Sequence, residues 1–331
     1  MNTLTLKDTA EFLFSNDNYL VLIHDKPDGD CFGSAVGLCT LLKKIGKNAQ
    51  IMSVGKIPER LEFINNGNIT VYVGTDGLVK SGYESKTVIS VDVASDQLLG
   101  KIRDLAAPKN ALAIDHHRIN TITCGNLYVD SGASATGEII YELCLELSAK
   151  SGQPLLDEVV SHALFSAISS DSGCFKYSNT TPKTHMIAAE LMKTGINAEN
   201  INYRLFDIKS MIQVKVESIA YKNLEFYENG KISFIYITRK ELDEIGATDD
   251  DTETISQMVR AVAGVQIGAF MREKNPGEFK FSIRSNNECD MSALCSVFGG
   301  GGHRKASGCS ISGTAAYAKS AFLNEAKNYL E

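Results

Sequence analysis

Residues 19–44 read YLVLIHDKPDGDCFGSAVGLCTLLKK. Tyr19–Asp25 is a continuous apolar run of strand length that ends in polar residues. Pro27-Asp28-Gly29-Asp30 is a turn. From Cys31 to Lys44 the apolar residues fall at helical spacing, and the pattern stops before Gly46. A strand, a tight turn and a helix open a βα unit. Further runs follow at Ala49–Val54, Ile69–Val73, Thr87–Val93 and Ala111–Asp115. They are short and rich in Val and Ile, as buried parallel strands are. Helical patterns lie at Ala135–Leu147, Leu156–Ser169 and Thr184–Thr194, the last stopped by Gly195. The alternation predicts an α/β fold, with a doubly wound, mostly parallel sheet over residues 1–195.

Asn197 to about Tyr221 is helical in pattern without Gly or Pro, which predicts a helical linker over 196–225. A smaller α/β domain is expected over 226–331. It opens with a hairpin, Asn223–Tyr227 and Lys231–Thr238, across Glu228-Asn229-Gly230. A second hairpin, Val265–Met271 and Glu278–Arg284, flanks Asn275-Pro276-Gly277. The acidic run Asp249–Glu253 reads as a helix start favoured by the dipole. A helix near Met291–Val297 leads into Phe298–Gly308, FGGGGHRKASG.

The chain has 331 residues, with 33 Lys+Arg against 40 Asp+Glu and a formal net charge of -7. At roughly 150 residues per domain this length fits two domains, each with its own core. Apolar residues at 44% and charged residues at 22% exclude a disordered chain. No run approaches the roughly 18–20 apolar residues of a membrane helix. The start MNTLTLKDTAEF lacks the apolar core of a signal peptide. None of the eight cysteines forms a CxxC pair. They read as thiols in a reducing cytoplasm, not as a disulfide or zinc framework. The acidic balance, with no Lys/Arg-rich run, argues against long duplex nucleic acid as partner.

Working residues of open α/β sheets gather at the carboxyl ends of strands. Three strand ends here carry unusual chemistry: His24–Asp30, Asp92, and Asp115-His116-His117. Asp171 adds a further carboxylate. Taken singly, each has a plain reading as turn or cap chemistry. Together, carboxylates sharing one cleft would repel one another unless cations neutralise them. Carboxylate mixed with imidazole suits Mn²⁺ or Mg²⁺, with Zn²⁺ and Co²⁺ as alternatives. Asp28 and Asp30 stand two apart, so each could serve a different ion. Two ions about 3.5–4 Å apart clamp the attacking and leaving oxygens of a phosphoryl displacement. Ser170 and Ser172 flank Asp171, but neither sits in a GxSxG elbow.

HDKPDGDCFGSA (24–35), VDVAS (91–95), IDHH (114–117) and SSDSGCF (169–175), in this order, resemble the four motifs of the DHH phosphoesterases. FGGGGHRKASG resembles the signature of the DHHA1 domain. The pairing and length resemble the NrnA-like branch of nano-RNases and pAp phosphatases. The resemblance implies that His24, Asp28 and Asp92 ligate one ion, most often Mn²⁺. It gives the other to Asp30, Asp92, His116 and Asp171, so Asp92 bridges. His117 then faces the substrate phosphate or orients the water, and Asp115 fixes a histidine tautomer. Asp92, His117 and Asp115 are thus the groups nearest the chemistry. Cys31-Phe32 replaces the usual Ala-Ile pair and is expected to pack inward.

The resemblance also implies a substrate-binding Arg284-Ser285 pair and a role for Gly300, Gly301, Gly302 and His303. The glycines read either as a flexible loop or as a phosphate cradle. Arg284 can grip a phosphate bidentately. A cleft between domains is expected to hold one phosphate at the ions and another at Arg284 and His303. That selects short oligonucleotides, linear dinucleotides such as pApA, or pAp. Phe175 and Tyr177 are candidates for base stacking or for core packing alike. A pyrophosphatase shares the metal motifs but differs in its C-terminal domain. A RecJ-like exonuclease carries additional domains. A nucleotide-binding regulatory module is the non-enzymatic reading, and lost ligand positions would favour it. A homodimer fits the family.

Overall fold

A computed structural model describes residues 1–65, 67–74, 76, 84–103, 110–286 and 288–330. The chain divides into two compact units, Met1–Ile208 and Lys209–Glu331.

The first unit is built on a sheet of seven strands. They are β1 (Asn2–Thr3), β2 (Tyr19–Leu22), β3 (Ala49–Ser53), β4 (Val71–Val73), β5 (Thr87–Val91), β6 (Asn110–Asp115) and β7 (Asn126–Val129). Their order is β1-β7-β6-β5-β2-β3-β4, and every neighbouring pair is parallel. The order reverses direction between β2 and β5, which is where a doubly wound sheet opens its ligand crevice. Both faces are covered. Tyr19 and Val21 join one core, while Leu20 and Leu22 join a second with Met52, Val88, Leu99 and Ala113. Burial on both sides explains why β2 is an unbroken apolar run and not an alternating one.

Among the described residues, the helices of this unit are α1 (Leu6–Ser15), α2 (Gly29–Lys44), α3 (Glu62–Asn65), α4 (Thr136–Ser151), α5 (Glu158–Asp171), α6 (Pro182–Met192) and α7 (Ala198–Asn202). Every residue of α2 from Gly29 to Leu42 is buried. A helix apolar on all sides belongs inside a core, and α2 lies against both α4 and α5. Its approach to α5 is close. A Cβ on Gly33 would stand 2.6 Å from Ala163 O, and one on Gly29 would stand 2.4 Å from Ser170 Oγ.

The segment 196–225 is not one continuous helix. After α7 comes a single wide turn, Tyr203–Asp207, then an extended break at Ile208. A new helix, α8 (Met211–Lys222), starts at Ser210. Ser210 Oγ accepts from Gln213 N, and Gln213 Oε1 accepts from Ser210 N. This reciprocal cap starts a fresh helix, and the division between units falls beside it.

The second unit contains a six-stranded mixed sheet, order β12-β13-β11-β10-β9-β8. Its strands are β8 (Leu224–Tyr227), β9 (Ile232–Ile237), β10 (Ile267–Asn275), β11 (Glu278–Ser285), β12 (Gly301–His303) and β13 (Ala306–Ser312). Both expected hairpins form as antiparallel pairs. Ile232 and Phe234 face one core, Ile235 and Ile237 the other. The run Asp249–Glu253 forms a short turn of helix, and Asp249 pairs with Arg272 and Arg239. All eight cysteines are free thiols. Among the described residues no helix is long and apolar enough to cross a membrane.

The contact of α2 with α5 gives a direct test. Gly33→Ala forces a methyl against a backbone carbonyl, and such overpacking costs about 1–3 kcal/mol. Alanine returns at most ~1 kcal/mol in helix propensity. The urea midpoint should fall; a midpoint at or above wild type would mean the helices can part without loss.

Candidate active site

The residues singled out in the first unit converge at the carboxyl ends of β2, β5 and β6. His24 follows β2. Asp28 caps α2, its Oδ1 accepting from Cys31 N at 3.0 Å. The same oxygen lies 4.0 Å from His24 Nε2. One carboxylate oxygen thus caps α2 and also faces His24. Asp30 sits in the first turn of α2 and is 1% exposed. Asp92 follows β5 in the left-handed region at φ 58°, a sparsely populated conformation that often marks a functional position. Asp115 ends β6, with His116 and His117 beyond it. Asp171 ends α5.

His116 is the centre of the arrangement. Its Nδ1 lies 3.3 Å from Ala133 O. A carbonyl only accepts, so Nδ1–H donates and Nε2 of the neutral ring carries a lone pair. That Nε2 lies 3.8 Å from Asp30 Oδ2, from Asp92 Oδ1 and from Asp171 Oδ2. The spacing is too long for a hydrogen bond. It is close enough for bonds of about 2.0–2.2 Å to meet at one ion. Acceptors facing acceptors around a small buried volume are a poor arrangement for the protein alone and a suitable one for a cation.

Electrostatics points the same way. Burial raises the Asp30 carboxyl well above its ordinary pKa, and Asp92 and Asp171 raise it further. Burial likewise raises Asp92, helped by Asp28 and Asp115. Asp171 is raised mainly by burial. Asp30 is partly compensated. Its oxygens accept from Thr136 N at 2.7 Å and Gly137 N at 3.0 Å, the positive N-terminus of α4, and from Ser34 Oγ at 2.9 Å.

Asp115 behaves in the opposite way. Burial alone would raise it, but the bond from His117 and the amide of Asn120 outweigh that and hold it below the ordinary carboxylate value. It accepts from His117 Nδ1 at 2.8 Å, His116 N at 2.9 Å and Asn120 Nδ2 at 2.6 Å. The same bond raises the pKa of His117. Asp115 thereby fixes the tautomer of His117 and not that of His116. His24 is lowered by burial.

Donor atoms fall into overlapping groups: His24, Cys31 and Asp92; Asp92, His116 and His117; Asp30, His116 and Asp171. Asp92 is shared by two of them. Cys31 does pack inward, at 0% exposure, yet its sulfur also joins the first group, which the sequence does not announce. Asn120, Thr136 and Asn179 are further polar partners that the motifs do not contain. Thr136 reaches Asp92 across 44 residues, while Asn120 and Asn179 bond carboxyls five and eight residues away at spacings that form no recognised motif. Phe175 stacks on His185 and packs on the core, whereas Tyr177 is exposed.

In the second unit Arg284 pairs in register with Ala306, and Ala306 with His303. Register partners share a sheet face, so Arg284 and His303 stand about 10 Å apart on one side. Ser285 does not join them. It is 1% exposed, and its hydroxyl donates to Cys289 O. The glycine run is not a free loop either: Gly301–His303 is the edge strand β12. A Cβ on Gly300 would stand 2.3 Å from Gly308 O, and one on Gly302 2.6 Å from Ala306 O. Those glycines allow the chain to lie flat on β13.

Residues 18–168 match the model of the DHH family, N-terminal domain, and residues 229–331 match that of the DHHA1 domain. The chain thus carries a DHH-family domain followed by a DHHA1 domain. It is 28% identical over 297 residues to the bifunctional oligoribonuclease and PAP phosphatase NrnA of Bacillus subtilis (strain 168), with 89% of this chain and 90% of that one covered. It is 26% identical to the protein of the same name from Thermus thermophilus, over 88% of this chain and 84% of that one. The crystal structure of an exopolyphosphatase-related protein from Bacteroides fragilis aligns with TM-score 0.88 at 22% identity, covering 98% and 96% of the two chains. At that identity the likeness concerns the fold.

The raised carboxyls fix the sign of one expectation. Folded Asp92 holds its proton more tightly than the unfolded chain does. Its ionised form therefore opposes folding, increasingly so as pH rises through the folded pKa. Asn keeps an oxygen for Thr136 and tolerates the left-handed backbone. Asp92→Asn should raise the Tm in EDTA by about 2 °C or more. The wild type should gain about 2.7 kcal/mol at a Mn²⁺ concentration of 100 Kd, and the variant should gain none. A Tm lowered in EDTA would refute the repulsion; a retained Mn²⁺ shift would refute the ligand role.

Proposed function

We propose that this chain is a hydrolase of phosphoester bonds that uses two divalent cations, Mn²⁺ by preference, and acts on short oligonucleotides and on pAp. The observation that carries the reading is the meeting of His116 Nε2 with oxygens of Asp30, Asp92 and Asp171, each at 3.8 Å, too far for a hydrogen bond. Asp30, Asp92, His116 and Asp171 would hold one cation; His24, Asp28 and Asp92 would hold the other. Oxygen and imidazole donors suit Mn²⁺, with Mg²⁺ or Co²⁺ as substitutes. When bound, such a pair supplies Lewis acidity toward water and toward the phosphate oxygens.

The chain's own residues supply the rest. Asp115 holds His117 by Nδ1, which leaves Nε2 available at a side chain 40% exposed. His117 is the group placed to hold a phosphate oxygen or to hand a proton to the leaving oxygen. Its raised pKa keeps a larger share of it protonated near neutrality. Arg284 and His303 take a terminal phosphate of the substrate. Preference for short substrates draws support from the names of the relatives and from a chain of net charge -7 without a basic run. A long strand requires an extended basic track.

A panel of pAp, di- to pentanucleotides, pyrophosphate and long single-stranded RNA, with products resolved by length, tests this. Turnover of pAp and the shortest oligonucleotides should require Mn²⁺ and stop in EDTA. Arg284→Ala should raise KM for pAp while leaving bis-p-nitrophenyl phosphate hydrolysis near wild type. Equal rates on long RNA, or equal effects of the substitution on both substrates, would defeat the reading.

A further inference from the structure

The segment Ala133–Gly137 reaches Asp30 and Asp92 directly and Asp171 through Asn179, the three carboxyls that lie 3.8 Å from His116 Nε2. Ala133 O accepts from His116 Nδ1. Ser134 O accepts from Asn179 Nδ2 at 2.8 Å, and the same amide donates to Asp171 Oδ2 at 3.1 Å. Thr136 N and Gly137 N donate to the two oxygens of Asp30. Thr136 Oγ1 donates to Asp92 Oδ1 at 2.9 Å. Four strand- and helix-borne groups from distant parts of the chain are thus referred to one short segment at the start of α4.

We propose that this segment is the frame that sets the site's geometry, and that Thr136 is a positioning residue acting through Asp92. Asp92 Oδ1 is the atom that lies 3.8 Å from His116 Nε2 and 3.7 Å from His117 Nδ1. It stands where the overlapping donor groups meet, so its direction affects both. A carboxylate surrounded by other carboxylates is pushed to rotate away from them. The buried Thr136 hydroxyl, 0% exposed, donates to that oxygen and holds it inward. Asn179 does the same for Asp171 and ties the end of α5 to the same frame. Partners of this kind around a metal ligand are worth about 10–100-fold in metal affinity. The inference rests on the metal-binding reading above and adds to it which residues outside the ligand set orient the donors.

The test is Mn²⁺ binding by calorimetry on the full chain, with thermal unfolding in EDTA alongside. Thr136→Val keeps the shape, and Asp30 keeps its backbone donors. It should lose about 10–100-fold in Mn²⁺ affinity, with the EDTA transition still cooperative. Thr136→Ser keeps the hydroxyl and should restore affinity to near wild type, which a packing role for the side chain would not produce. Asn179→Ala leaves Thr136 in place and should weaken binding as well, so the frame remains testable should the valine variant not fold. Wild-type affinity in both Thr136→Val and Asn179→Ala, or no rescue by serine, would overturn the inference. A wild-type chain that takes up no divalent cation would instead overturn the reading beneath it.

Discussion

A set of carboxyl groups held 3.8 Å from one imidazole nitrogen is the constraint on which this structure depends. On their own, Asp30, Asp92 and Asp171 would spread apart. They cannot, because each is fixed from behind. Asp30 is held by the N-terminus of α4, Asp92 by Thr136, and Asp171 by Asn179. The protein spends hydrogen bonds to keep like charges together, which is unfavourable for folding and useful only if a cation completes the group.

The architecture explains how such different chain segments arrive at one place. The parallel sheet delivers His24, Asp92 and Asp115 from neighbouring strands on either side of its crossing point. Helices deliver the rest, and they do so because their backbones nearly touch. Gly29 lies against Ser170, so the start of α2 meets the end of α5 beside Asp171. Environment then separates the aspartates by role. Asp115, bonded to His117 and Asn120, stays readily ionised and serves to orient a ring. Asp30 and Asp92, buried among their own kind, resist ionisation until a positive charge arrives. One residue type performs two tasks because its neighbours differ.

Much of this was legible in the sequence, and the exceptions have physical reasons. The run from Tyr19 to Lys44 declares its strand and helix because both are buried on all sides, and its turn through Pro27-Asp28-Gly29-Asp30. The short β1 and β7 carry too few residues to show a period. Helix α1 does announce itself through the reciprocal cap of Thr5 and Asp8, a signal that the apolar count of the N-terminus hides. The break before α8 is written in Ser210 and Gln213 but contains no Gly or Pro to draw attention. Gly301–His303 reads as loop because glycine has no strand preference; β12 exists because glycine alone lets the chain approach β13. Motif residues were recoverable because strand ends collect chemistry. Thr136, Asn120 and Asn179 were not, since their importance lies in bonds that only the folded chain creates.

The same crowding bears on how an anionic substrate can enter. Unloaded, the cleft presents buried carboxyl groups that offer a phosphate no positive charge, and the chain as a whole is negative. His117, whose pKa Asp115 raises, lies 3.7 Å from Asp92 Oδ1 and is already bonded to Asp115. Cations bound at the centre invert the local field and become its largest charges. They would serve twice, first by relieving the repulsion that opposes folding and then by making the cleft attractive to phosphate. On the proposed function, metal loading would precede substrate binding, whatever the length of the nucleotide.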